Sequence, residues 1–166
     1  MQVFLIKSKK EFMTELLTGA SFDALLLSEA RIEGRGHLSV TGHPAAGFFT
    51  EEEMSRVDPS GYMPYGMYRD TLFSFIKGNR TPSGFMIQLV LPRSETEELV
   101  GSSGCTIPSS DVESLSLLIR FRDGALSVTT GTSISGFYPD KSLDHALDAY
   151  AAGILDRCGA DYDTQL

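Results

Sequence analysis

Apolar positions recur along this chain with two periods, and the switches between them mark its elements. Val3–Ile6 (VFLI) is a short apolar run of strand length. Ser8, with Glu11 three residues later, reads as a helix N-cap with a capping box. Phe12, Met13, Leu16 and Leu17 then share one helical face, and Gly19 can end the helix. In FDALLLSEARIEG the period changes to two: Leu26, Ala30 and Ile32 alternate with Glu29, Arg31 and Glu33. Gly34–Gly36 turns the chain, and His37–Thr41 alternates again with Leu38 and Val40 inward, which predicts a hairpin.

Residues 44–66 hold no sustained period and read as an irregular connection with a short acidic helix near Glu51–Arg56. A helix is predicted over Met67–Lys77, stopped by Gly78. FMIQLVLP (85–92) is apolar enough for a central strand. The polar, Ser-rich stretch 93–111 reads as a loop with one helical turn at Glu95–Val100. LSLLIRFRDGALSVTT is the clearest hairpin: Leu117, Ile119 and Phe121 alternate with polar neighbours around the favoured turn Asp123-Gly124. A last helix, 140–158, starts at Asp140 or Ser142. Leu143, Ala146, Leu147, Tyr150, Ala151, Ile154 and Leu155 form its buried stripe, with Asp144, His145, Asp148 and Asp156 opposite.

The pattern repeats itself. LSVTGHPAAGFF (38–49) and LSVTTGTSISGFY (126–138) open on the same four residues and close on Gly and two aromatics. Upstream, EFMTELLTG (11–19) aligns without gaps on DTLFSFIKG (70–78). Two accounts stand: a duplicated helix–hairpin unit, with pseudo-repeats 1–50 and 61–138, or two similar units reached independently through strand and turn preferences. The expected fold is therefore α+β, one domain over 1–166, with a mainly antiparallel sheet, two short helices and a C-terminal helix.

A helix followed by antiparallel strands, occurring twice, resembles in layout the unit of the DNA sliding clamp. A working clamp would need basic outer helix faces. Here those faces carry Glu11, Thr14, Glu15 and Thr18, and Asp70, Thr71 and Ser74 with Lys77 at the edge, which speaks against DNA along them.

Composition narrows the function classes. The 166 residues are 42% hydrophobic and 22% charged, ordinary for a folded soluble chain, and the net charge of −8 disfavours non-specific attraction to nucleic acid or anionic lipid. No apolar stretch approaches the ~20 residues that span a bilayer. The start lacks the apolar run and small-residue cleavage site of a signal peptide, so the expectation is cytoplasmic. Cys105 and Cys158 have no metal-ligand spacing and read as reduced thiols.

Four stretches could carry chemistry. KGNRTP (77–82) gathers Lys77, Arg80 and Thr81 around a Gly and could hold an anion. Against this, it follows a helix C-terminus, whose negative end Lys77 and Arg80 would complement. TTGTS (129–133) offers Thr130, Thr132 and Ser133 around a Gly, an anion nest or the end of a hairpin strand. Its Ser133 lacks the glycine frame of a nucleophile elbow. His37 and His43 stand six residues apart, about 20 Å along a strand at ~3.3 Å per residue, too far to share an ion, and His145 lies among solvated carboxylates. No metal site or cofactor is expected. GYMPYGMY (61–68) is either an adaptable binding surface or a lid over the core.

IKGNRTP (76–82), with TGTSxxxF and DKSL (130–143), resembles an uncharacterised bacterial family known only as a domain of unknown function. The similarity runs over most of the chain, although that family has an aromatic where this chain has Leu147. The resemblance implies length and architecture and no chemistry.

The leading expectation is a non-enzymatic interaction or scaffold protein with a homodimeric or other protein partner. The alternatives are a small anionic-ligand binder or enzyme using the 77–81 and 129–133 loops, and a clamp-like nucleic-acid accessory protein.

Overall fold

The computed structural model describes residues 1–165. Seven strands and five helices run β1 (Val3–Ile6), α1 (Lys9–Thr18), β2 (Leu26–Glu33), β3 (His37–Thr41), α2 (Glu51–Met54), α3 (Arg69–Ile76), β4 (Gly84–Val90), α4 (Arg93–Ser103), β5 (Val112–Arg122), β6 (Ala125–Ile134), α5 (Ser142–Arg157) and β7 (Tyr162–Gln165). The fold is the expected α+β. One seven-stranded sheet has the order β3-β2-β4-β5-β6-β1-β7, with every neighbouring pair antiparallel.

Register converts the alternation into two different faces. Ala30, Ile87, Ile119, Val128 and Phe4 stand side by side across five strands, all buried. One residue along, the row Arg31–Met86–Arg120–Ser127–Leu5 points the other way. Phe12 and Leu16 of α1, Leu72 of α3, Val100 of α4 and the Leu143–Leu147–Ala151–Ile154 stripe of α5 join the first face in one hydrophobic cluster. The second face carries no helix of that cluster.

Both LSVT segments are second strands of hairpins, as their pattern implied. Leu38 and Val40 are half-buried on the edge strand β3, and Leu126 and Val128 are fully buried on β6. The Gly-aromatic ends match in another way: Phe48 and Phe137 stand in solvent, 79% and 90% exposed, while Phe49 and Tyr138 fold back. The two helix–hairpin units differ in one respect. In the first, α1 leads directly to β2–β3. In the second, β4 and α4 stand between α3 and β5–β6.

Several local expectations are corrected. The capping box at Ser8–Glu11 does not form. The Ser8 hydroxyl accepts instead from the Asp161 N–H (2.7 Å), tying the start of α1 to the approach of β7. A capping box exists at Thr50–Glu53, where Thr50 N–H donates to Glu53 Oε2 (2.8 Å) and Glu53 N–H to Thr50 Oγ1 (3.2 Å). The expected acidic helix ends at Met54, not Arg56.

The loop expected at 93–111 holds the eleven-residue α4. Its sequence offers little apolar period, and tertiary bonds hold it. Arg93 reaches the Val112 and Ser109 carbonyls (3.0 and 2.9 Å) and Glu97 one turn on (3.0 Å). Tyr150 of α5 donates to Glu95 (2.6 Å). Gly104 ends the helix in the left-handed region, at φ 68°. Strand β7, polar apart from Tyr162, has no signature of its own and exists by pairing with β1.

The start of α5 is fastened by Asp140. Its carboxylate accepts from the Ser142 N–H (2.9 Å), the Thr106 N–H (2.7 Å) and the Thr106 hydroxyl (3.1 Å). These donors, the Ser142 and Thr106 amides foremost, hold its pKa well below the carboxylate range. A depressed folded value contributes stability above the unfolded pKa, lost as pH falls toward the folded one. Asp140→Asn is therefore expected to lower the melting temperature at neutral pH. The gap to the parent should narrow steadily below about pH 4. Thermal melts across that range check this, and a constant gap would assign the loss to something other than charge.

Candidate functional site

The row Glu33–Gly84–Arg122–Ala125 closes one end of the sheet. Beyond it lie the Gly34–Gly36 turn, the Lys77–Ser83 loop and the Asp123–Gly124 turn. Lys9 of α1 reaches the last of these through its ammonium on the Gly124 carbonyl. The tight turn has positive φ at both residues, 52° and 76°, as an Asp-Gly hairpin requires.

Three cavities occupy this end, two of them adjoining on the helix-covered face and one on the other face. A cleft of about 600 Å³ runs between Arg35 and the Lys77–Ser83 loop, with Phe75 and Ile76 at its base. Through Ile76, Thr81 and Pro82 it meets a chamber of about 440 Å³ floored by Met13, Ile76, Phe85, Phe121 and Leu126 and rimmed by Lys9 and Lys10. On the opposite face of the sheet, behind the same Phe85 and Phe121 positions, a hollow of about 370 Å³ lies beside Arg31, Glu33, Met86, Arg120 and Arg122.

Charge is segregated here. Lys9, Lys10, Arg31, Arg35, Lys77, Arg80, Arg120 and Arg122 line these cavities, eight of the chain's 14 Lys and Arg in a protein of net −8. Among the described residues, only Arg31 of these eight has an ion pair, with Glu29 at 2.7 Å. Arg35 donates to the Lys77 carbonyl (2.8 Å) at the end of α3, so a cation from another turn neutralises the negative helix terminus. Lys77 and Arg80 themselves make no side-chain hydrogen bond or ion pair among the described residues.

Lys77, Arg80 and Thr81 line one cleft. Thr130, Thr132 and Ser133 do not meet them. They stand five to eight residues up β6 from Ala125, roughly 17 to 26 Å at about 3.3 Å per residue. Their hydroxyls face carboxylates, the wrong sign for an anion nest. Buried Thr130 donates to Asp148 and Ser133 donates to Glu113 (2.6 Å), while Thr132, against the opposing effect of burial, lowers the pKa of the Asp144 carboxyl beside it. Asp144 and Asp148 are accordingly not on the solvated side of α5, where their helical position had put them. They extend one edge of the buried stripe toward β6, with side chains 18% and 20% exposed.

The remaining candidates have structural places. His43 stacks on Tyr62 (4.3 Å) and bonds the Gly61 carbonyl (3.1 Å), and His37 and His145 are exposed. GYMPYGMY is the core lid. Met63 and Tyr65 are fully buried, and the Tyr65 hydroxyl donates to the Leu16 carbonyl (2.9 Å). Burial raises the Tyr65 pKa far above its usual value. Among the described residues, no three His, Cys, Asp or Glu side chains gather where a metal could sit, and no helix is long and apolar enough to cross a membrane.

Sequence reasoning missed Lys9, Lys10, Arg31, Arg35, Arg120 and Arg122 as members of the site. The signal available was the alternation in LLIRFR, which puts Arg120 and Arg122 on one face. Nothing local says that this face ends beside residues 31–35 and 77–83.

No curated protein and no solved structure matches the chain. Residues 15–163 match the pattern of a family of unknown function (DUF5721), and the chain belongs to that family.

Proposed function

We propose that the protein is a non-enzymatic docking module whose basic end receives an acidic segment of a protein partner. One observation carries this: an apolar chamber opens directly between cations that have no carboxylate of their own. An apolar side chain fits the chamber floor, and acidic neighbours fit Lys9 and Lys10 on its rim and Lys77 and Arg80 in the adjoining cleft. Phe85 and Phe121 stack on one another (5.6 Å between rings), which occupies a face of each and favours a side-chain pocket over a platform for bases. Free thiols at Cys105 and Cys158 accord with a cytoplasmic setting. The equivalent places of the two LSVT strands accord with an origin by duplication.

The test is fluorescence anisotropy with a labelled acidic peptide carrying one central Phe. Binding is expected to weaken with salt, to need the Phe, and to fall roughly tenfold or more in Lys77→Glu/Arg80→Glu. A single-stranded DNA of equal charge is the comparator. Tighter, salt-sensitive DNA binding would replace this reading with the clamp-like nucleic-acid one. Thermal stabilisation by nucleotides or sugar phosphates, lost in Lys77→Ala/Arg80→Ala, would replace it with a small-anion site.

A further inference from the structure

We infer that the segment received by this groove is the Phe48–Met54 knob of a second copy of the chain, an inference that rests on the docking reading above. The knob has the chemistry the groove asks for. Phe48 is 79% exposed and Met54 40%, two of the few large apolar side chains left in solvent, and between them stand Glu51, Glu52 and Glu53. The knob is also built. The Thr50–Glu53 capping box shapes its helical turn. Phe49 fastens it, edge-on to Phe48 (5.1 Å) and to Tyr68 (6.5 Å) at the start of α3. An apolar side chain presented on such a support gives up little conformational freedom on docking.

Position makes the contact intermolecular. The knob is anchored at the N-terminal end of α3, and the groove opens past the C-terminal end of the same helix, about 12 Å away at ~1.5 Å per residue. A knob held against Tyr68 cannot turn into the groove of its own chain. Each copy offers one knob and one groove, so two copies can exchange both contacts about a two-fold axis or add head to tail. Like-signed surfaces repel and unlike ones attract, which selects knob on groove over groove on groove.

Sedimentation velocity at low ionic strength tests the inference. The parent chain is expected to gain mean mass with concentration and lose it with salt. Phe48→Ser/Met54→Ser and Lys77→Glu/Arg80→Glu change exposed positions, so both variants should fold, and each should lose at least tenfold in self-association, ~1.4 kcal/mol. Phe137→Ser, which removes an exposed ring outside both surfaces, should change nothing. Mixing the two defective variants is the decisive arm. The intact groove of one and the intact knob of the other should form a one-to-one pair that grows no further. A parent chain monomeric at millimolar concentration, association indifferent to Phe48 and Met54, or a mixture that fails to pair each overturns the inference. If such a chain still binds the free acidic peptide through Lys77 and Arg80, docking stands and only its self-partner falls. If it binds no acidic peptide, docking falls as well.

Discussion

Gly42→Ala is expected to lose at least about 3 kcal/mol of stability, with the melting temperature falling by roughly 6–12 °C. Gly42 is buried at the exit of β3, where three segments cross. Its N–H donates to the Ser28 carbonyl (3.2 Å), its own carbonyl accepts from Met63 N–H (2.9 Å), and Leu27 N–H donates to the Met63 carbonyl (3.1 Å). A Cβ at this position would lie on the Leu27 carbonyl oxygen, 2.7 Å from its carbon and 3.2 Å from the Leu27 Cβ. The obstacle is backbone, so no rotamer change relieves it. β2 or the chain after β3 must move, at the bulge where the β2–β4 register already shifts between Leu27 and Glu29. Gly101→Ala is the control. It lies in α4 with open space around it, and alanine should stabilise by about 0.5–1 kcal/mol. Thermal melts of the two variants decide the matter. A Gly42→Ala protein as stable as its parent would mean that this crossing is loose.

Arg69→Ala is expected to lose about 2–3 kcal/mol. Arg69 Nη1 donates to the Gly19 carbonyl (2.6 Å) at the end of α1 and to both carboxylate oxygens of Asp23. One guanidinium thus joins α1, the α1–β2 connection and α3. Its hydrogen bonds, Asp23 first, raise its pKa and keep it charged. With side chains 20% and 32% exposed, the pair stands between a buried ion pair, where removing one partner costs about 3–5 kcal/mol, and a surface pair worth about 0–1. Arg69→Lys should recover part of the loss, because one nitrogen, Nη1, makes all three contacts and an ammonium also carries three donors. In Asp23→Ala/Arg69→Ala the losses should sum to less than the single losses added, by about 1 kcal/mol or more. Denaturant titrations of the four proteins provide the cycle, and full additivity would show that the two groups do not act together. Because α3 carries the knob at one end and the groove loop at the other, Arg69→Ala should also weaken both docking surfaces.

How much of this was legible locally follows from where the forces lie. Each strand with strict alternation was readable, because a residue's face on a pleated sheet is set by parity alone. The Asp123-Gly124 hairpin was readable because few residues besides Asn, Asp and Gly take two successive positive φ angles. Two pieces draw their stability from elsewhere: α4, read as one helical turn in a loop, from Arg93 and Tyr150, and β7, which carried no expectation, from the free edge of β1. The Ser8–Glu11 capping box failed for a related reason. Asp161, distant in sequence, claims the hydroxyl the pattern had assigned to the helix.

The candidate site divides in the same way. Lys77, Arg80 and Thr81 stood out because they are close in sequence. Thr130, Thr132 and Ser133 stood out for the same reason, yet β6 carries them to the far half of the sheet and sets them against Asp148, Asp144 and Glu113. The sequence by itself determined the periods, the hairpins, the α+β class and the excess of negative charge, all properties of neighbours along the chain. Only the tertiary structure decided that eight cations from four separate segments come to one end of the sheet while Phe48 and its glutamates stand apart from it. That outcome depends on the strand order β3-β2-β4-β5-β6-β1-β7, which brings residues 9–10, 31–35, 77–83 and 120–124 to one end of the sheet. Strand order arises from packing the whole core at once, and no local stretch encodes it.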